Sequence, residues 1–169
     1  YMGRTILKKR TGVLPKIYFT QEAHYSIQIL SDVLNLEAVI VKTDSQGNMD
    51  VADLESKLAD NANQPALVVA TIGTTFKGAI DPIDEIQRKL RNRQAYLHLD
   101  AALFGGYLPH TPFASDLLQQ GMNPEHGGVR HYRYDSIAVS CHKFFGFPSP
   151  AGLFMTTRKI FEEFLQPFS

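Results

Sequence analysis

Six residues near the middle of the chain, Leu67-Val68-Val69-Ala70-Thr71-Ile72, limit the fold more than any other stretch. They form a continuous, largely apolar run, the pattern of a strand covered on both faces. Short strand-like segments of this kind alternate with helical ones. Lys16–Thr20, Ala38–Val41, Tyr96–Leu99, Ser136–Ser140 and Gly152–Thr157 are rich in β-branched and aromatic residues and predict strands. Between them, residues 22–34 carry Tyr25, Ile29, Leu30, Val33 and Leu34 at roughly helical spacing. Residues 50–61 place Leu54 and Leu58 on one face behind an Asp50 N-cap, and residues 83–93 space Ile83, Ile86 and Leu90 likewise. A closing helix is predicted over 158–165. The alternation predicts an α/β sheet with helices on both faces, a class whose ligands gather at the carboxyl ends of strands. Thr71, Asp100 and the pair His142-Lys143 stand at three such ends.

Composition narrows the functional classes. The 169 residues correspond to about one domain on a prior of ~150 residues per domain. Hydrophobic residues at 44% and charged residues at 20% are those of a globular chain and argue against a disordered tail. Lys plus Arg and Asp plus Glu number 17 each, so no basic excess marks a nucleic-acid or membrane-surface binder. No apolar run approaches the ~20 residues of a membrane helix. Cys141 is the single cysteine, which excludes an internal disulfide framework. The opening Tyr1-Met2-Gly3-Arg4 looks neither like a signal peptide nor like a natural start.

Taken singly, the strand-end residues are ambiguous. Asp100 suits an N-cap as well as a ligand. Lys143, followed by Phe144-Phe145-Gly146-Phe147, suits a snorkelling lysine as well as a desolvated nucleophile. Together they match what pyridoxal phosphate chemistry requires: an amine to form a Schiff base with the aldehyde, and a carboxylate to hold the pyridine nitrogen protonated. His24 reads locally as a helix cap, Thr71 as a turn residue, Thr74 and Thr75 as loop caps, and Ser140 as a backbone-bonding hydroxyl. His98 reads as a packing residue or one just behind the site, Cys141 as a buried inert thiol, and Lys8-Lys9-Arg10 as a solvated helix end. The segment Gly121–Tyr134, with His126 and His131, reads as an extended polar insertion. No Cys or Glu cluster completes a metal set at familiar spacing there, so no metal is expected.

Four motifs in order carry a resemblance. They are Ala23-His24-Tyr25-Ser26, Thr71-Ile72-Gly73-Thr74-Thr75 continuing to Asp81, His98-Leu99-Asp100-Ala101-Ala102, and Ser140-Cys141-His142-Lys143. From about residue 17 to 165 the chain resembles the group II pyridoxal phosphate-dependent amino acid decarboxylases, most of all the histidine and plant serine decarboxylase branch. The resemblance implies a three-layer α/β/α large domain of fold type I, the aspartate aminotransferase-like class, with a mainly parallel sheet. It implies that Lys143 carries the cofactor, that Asp100 pairs with the pyridinium nitrogen, and that His24 stacks on one face of the ring with Ala102 against the other. Thr71 would lie near the ring and its phenolic oxygen, and Ser140 and His142 near the phosphate. Lys143 and His24 would be catalytic.

The same resemblance implies a cytoplasmic homodimer acting on an amino acid, histidine first and serine next, with another small polar or aromatic amino acid left open and no nucleic-acid or membrane partner. It also predicts that residues 1–169 are part of the cofactor-binding domain. A phosphate-cradling segment upstream and a small C-terminal domain would be absent, leaving the fragment alone inactive or barely active. Two alternatives stay open. One is another enzyme of the same fold, such as a cysteine desulfurase or class V aminotransferase. These usually carry Gln or His two or three residues after the Asp, where this chain has Ala102-Leu103. The other is a truncated, non-catalytic chain.

Overall fold

The computed structural model describes residues 1–111, 121–122, 130–131 and 134–167. Helix α1 (Met2–Thr11) leads into β1 (Lys16–Thr20), α2 (Tyr25–Val33), β2 (Ala38–Val41), α3 (Val51–Asp60), β3 (Ala66–Thr71), α4 (Ile83–Leu90) and β4 (Ala95–Asp100). A short 3-10 turn (Leu108–His110), the two-residue strands β5 (Gly121–Met122) and β6 (Arg130–His131), β7 (Ser136–Ser140), β8 (Gly152–Thr156) and α5 (Arg158–Leu165) complete the order. Six strands form one sheet in the order β2-β1-β3-β4-β7-β8. All neighbours are parallel except β8, which runs antiparallel to β7 at the edge.

Period-two alternation along the strands divides the core into two layers. On one face Tyr18, Val68, Ala70, Leu97, Leu99, Ile137 and Val139 pack against Leu54 and Leu58 of α3 and Ile83, Ile86 and Leu90 of α4. On the other face Ile17, Phe19, Leu67, Val69 and Tyr96 pack against Ile6 and Leu7 of α1, Ile27 of α2 and Ile160 of α5. β3 lies at the centre and is buried along its whole length, as the apolar run at 67–72 requires. Asp50 caps α3 as expected: its carboxylate accepts from the amides of Ala52 at 2.9 Å and Asp53 at 3.2 Å.

Two expectations need correction. The first concerns α2, whose predicted apolar face is not its core face. Tyr25 and Val33 are 72% and 73% exposed, Ile29 and Leu30 about half, while Ile27 and Ser31 face the sheet. Apolar residues lie on more than one side of this helix, so spacing alone does not choose the buried one. The second concerns Lys8-Lys9-Arg10, which is the last turn of α1 but is more than a solvated end. β8 forms where predicted, with Leu153, Phe154 and Met155 each about half exposed.

Arg10 forms a two-pronged ion pair with Glu163 of α5, both contacts at 2.6 Å, and Lys9 donates to the carbonyls of Phe164 and Gln166. The guanidinium beside it holds the Glu163 carboxyl below its usual range. Both partners of the ion pair remain partly exposed. We therefore expect Glu163→Gln to lower stability by no more than about 1 kcal/mol in denaturant unfolding.

Candidate active site

Parallel strand order brings the carboxyl ends of β1, β3, β4 and β7 to one edge of the sheet. Thr71 and Asp100, the last residues of β3 and β4, are direct neighbours in register. Leu67, Val69 and Tyr96 face the α1/α2 layer, and the same parity sends Thr71 and Asp100 to that side. Ile137 and Val139 face the opposite layer, so Ser140 also points to the α1/α2 side. The turn Cys141–Phe145 follows Ser140 and carries His142 and Lys143 on its exposed surface. His24 enters four residues after β1, as the N-cap of α2.

These elements enclose a cleft of about 590 Å³. His24, Thr71, Asp100, Ala102, Ser140, His142 and Lys143 all line it, so the seven residues singled out in the sequence converge on one site. His24 is both a cap and a cleft residue. Its Nδ1 accepts from the Ser26 amide at 3.3 Å and lies 2.8 Å from the Ser26 hydroxyl. The ring rests against Tyr25, with centroids 4.3 Å apart. Holding Nδ1 in this way orients the imidazole and leaves its other nitrogen free of that bond.

Asp100 accepts from the amide of Ala102 at 3.2 Å, and no other hydrogen bond from a described residue reaches its carboxylate. No hydrogen bond or ion pair from a described residue engages the Lys143 amine. His142 is tied through Nδ1 to the backbone of Ala151, at 3.1 Å to its oxygen. Gly73, Thr75, Ser26 and Leu103 also line the cleft, and sequence reasoning gave them no place in it. The signals were present in Ser26, two residues after His24, and in the Thr-Ile-Gly-Thr-Thr string, where Thr75 reads as a loop cap.

The wall carrying Gly73 and Thr75 is a tight hairpin-like loop. Ile72 bridges Ile80, and the amides of Gly73 and Thr74 both donate to the Ala79 carbonyl. The hydroxyl of Thr74 accepts from the Ala79 amide at 3.0 Å. Gly73 has φ +92°, and a Cβ there would stand 2.6 Å from the Phe104 ring, so only glycine fits. Asp81 closes the loop at its base. It is 1% exposed and accepts from the amides of Thr71 at 2.7 Å and Met49 at 2.6 Å. Burial pushes its carboxyl up to about 6, against the pull of those two amides.

Behind the cleft, His98 places Nδ1 2.8 Å from the Ser136 hydroxyl and stacks on Phe154 with centroids 6.0 Å apart. Burial lowers its pKa to about 4, which keeps the imidazole neutral at physiological pH. Cys141 is buried, as expected. The Gly121–Tyr134 insertion lies mostly outside the described residues. Among the described residues no cluster of three or more His, Cys, Asp or Glu is placed to hold a metal, and no helix is long and apolar enough to cross a membrane.

Residues 7–159 match the pyridoxal-dependent decarboxylase conserved domain, and the chain belongs to that family. It is 34% identical over 164 residues to a histidine decarboxylase of Morganella morganii, an alignment that covers 94% of this chain and 39% of that protein. It is 37% identical over 144 residues to serine decarboxylase 2 of Oryza sativa subsp. japonica, covering 83% of this chain and 28% of the relative. The chain thus spans well under half the length of these two curated relatives. Among solved structures it resembles mouse CSAD, with a TM-score of 0.71 and 28% identity over 96% of this chain and 36% of that one. The mainly parallel, helix-covered sheet is the fold type I architecture expected from the motifs.

The cleft suits pyridoxal phosphate on its own chemistry. The Thr71 hydroxyl is buried at the cleft with no hydrogen-bond partner among the described residues, an unusual state for a buried polar atom. An amine, a carboxylate with spare acceptor capacity and an imidazole line the same cleft.

Proposed function

We propose that the chain is the cofactor-bearing part of an enzyme that removes carbon dioxide from an L-amino acid to give the corresponding amine. The observation that carries this reading is the meeting of Lys143, Asp100 and His24 in one cleft with the unpartnered Thr71 hydroxyl. In this reading Lys143, on its exposed turn, would supply the amine that holds the cofactor through its aldehyde. Asp100 holds a proton at the pyridine nitrogen, a task suited to a carboxylate with a single local donor. His24, oriented by Ser26, would stack on one face of the ring, and Ala102 would pack against the other. Thr71 would lie near the ring and its phenolic oxygen, and Ser140 and His142 near the phosphate. Pyridoxal phosphate, when bound, supplies the electron sink for the pair left behind by carbon dioxide. Fixed geometry and exclusion of water contribute the rest of the acceleration.

Histidine is the first substrate and serine the next, supported by 34% identity to the Morganella histidine decarboxylase and 37% to the rice serine decarboxylase. The whole protein is proposed to be a cytoplasmic homodimer, with residues 1–169 as part of its large domain. The test is carbon dioxide release from carboxyl-labelled amino acids by the whole protein with added pyridoxal phosphate. Release from histidine above all others is the expected result. No release from any amino acid, or sulfur or amino-group transfer instead, overturns the reading.

A further inference from the structure

Phe104 lies four residues after Asp100, in the turn whose carbonyl at 104 accepts from the amides of Tyr107 and Leu108. Its half-buried ring touches two other segments of the cleft. One is the hairpin loop: Gly73 and Gly78 present bare backbone to the ring, at separations that leave no room for a side chain at Gly73. The other is the Lys143 turn. The ring of Phe144 lies 6.2 Å from that of Phe104, centroid to centroid, and 5.3 Å from Tyr107, which stands 6.4 Å from Phe104. One side chain therefore contacts the wall that carries Gly73 and Thr75, adjoins the residue after Lys143, and belongs to the segment that carries Asp100, Ala102 and Leu103. Tyr107 also reaches Phe144 from the Asp100 segment, but of these three rings it is Phe104 that packs on the glycines of the hairpin loop as well.

We propose that Phe104 is a positioning residue that locks these three segments into one frame and so sets the distance between the Lys143 amine and the opposite cleft wall. This rests on the proposed cofactor reading for its catalytic meaning but not for its structural content. Aromatic pairs of this geometry contribute beyond area burial, roughly three- to tenfold each in an equilibrium constant. Hydrogen bonds already hold the hairpin internally, so removing the ring should free its orientation more than it unfolds it.

The test uses the whole protein with Phe104→Ala, Phe104→Leu and Phe104→Tyr. Pyridoxal phosphate affinity is read from the cofactor absorption, kcat and KM from carbon dioxide release, and amide hydrogen exchange at 73–79 from cofactor-free protein. Phe104→Ala and Phe104→Leu are expected to weaken cofactor binding about tenfold, lower kcat more than they raise KM, and speed exchange in the hairpin. Phe104→Tyr keeps the ring and should stay within about threefold of wild type in all three. Wild-type behaviour in Phe104→Leu, which refills volume without a ring, overturns the proposal, as does unchanged hairpin exchange in both Leu and Ala variants. If Phe104→Ala fails to fold, the Leu–Tyr contrast decides. A wild-type protein that binds no pyridoxal phosphate sinks the functional reading, while the exchange data still decide whether Phe104 clamps the hairpin.

Discussion

Replacing Lys143 with alanine should reduce carbon dioxide release by at least about a thousandfold while leaving the folded protein almost as stable as before. The two expectations have separate causes. Lys143 sits on an exposed turn and makes no hydrogen bond or ion pair with a described residue, so its loss from the fold is a surface change worth within ~0.5 kcal/mol. In the cleft it is the single amine among the described lining residues, which include Asp100 and His24. The measurement pairs a carboxyl-label assay with denaturant unfolding and with the visible-edge absorption of the bound cofactor. Activity within tenfold of wild type would remove Lys143 from the chemistry. A large drop in stability alongside lost activity would mean that the residue is structural.

Asp81→Ala is expected to produce the largest loss of stability of any single change at the cleft wall. Its carboxylate satisfies two buried amides, on Thr71 and on Met49, from elements distant in sequence. Removing it strands both, at ~1–3 kcal/mol for each unsatisfied group, or about 2–6 kcal/mol in all. Asp81→Asn keeps the shape and one acceptor and should cost about half of that.

The two variants also expose a pH signature. The folded pKa is raised to about 6 from 3.8, by burial first and by the neighbouring Asp44 charge to a smaller degree. A carboxyl raised on folding binds its proton more tightly in the native state. Its favourable contribution is present at low pH and is lost as pH rises through the folded pKa. Between pH 5 and pH 8 wild type should therefore lose about 1.4 kcal/mol relative to Asp81→Asn, which does not titrate. Urea unfolding of both proteins at the two pH values measures the difference. A gap that stays constant between pH 5 and pH 8 would mean that the two amides, not burial, govern this carboxyl, because a depressed pKa places its whole effect below that window.

Much of the site is legible along the chain because its members end strands that announce themselves. Thr71 closes an apolar run, Asp100 follows Tyr96–Leu99, and His142-Lys143 follow Ser136–Ser140. Asp81 gives no such notice. It is ten residues from one partner and 32 from the other, and its role depends on a hairpin that folds back onto the end of β3. Thr75 reads as a loop cap for the same reason: that loop's inward face exists only once Phe104 packs on Gly73 and Gly78. His24 satisfies both of its readings at once, since the bond that caps α2 also orients the ring toward the cleft.

The sequence by itself determined most of the elements, though not helix α1 or the short strands β5 and β6, together with their alternation, the α/β class and the set of strand-end residues. Side-chain periodicity and capping are local and act within a few residues. It could not choose which side of α2 is buried, because apolar side chains lie on several of its faces and only packing against the sheet selects Ile27 over Ile29. Nor could it set the antiparallel direction of β8 or the order β2-β1-β3-β4-β7-β8. Strand order is a long-range outcome of how the two core layers close over the sheet. It alone brings residues 24, 71, 100 and 143 from four segments to one cleft.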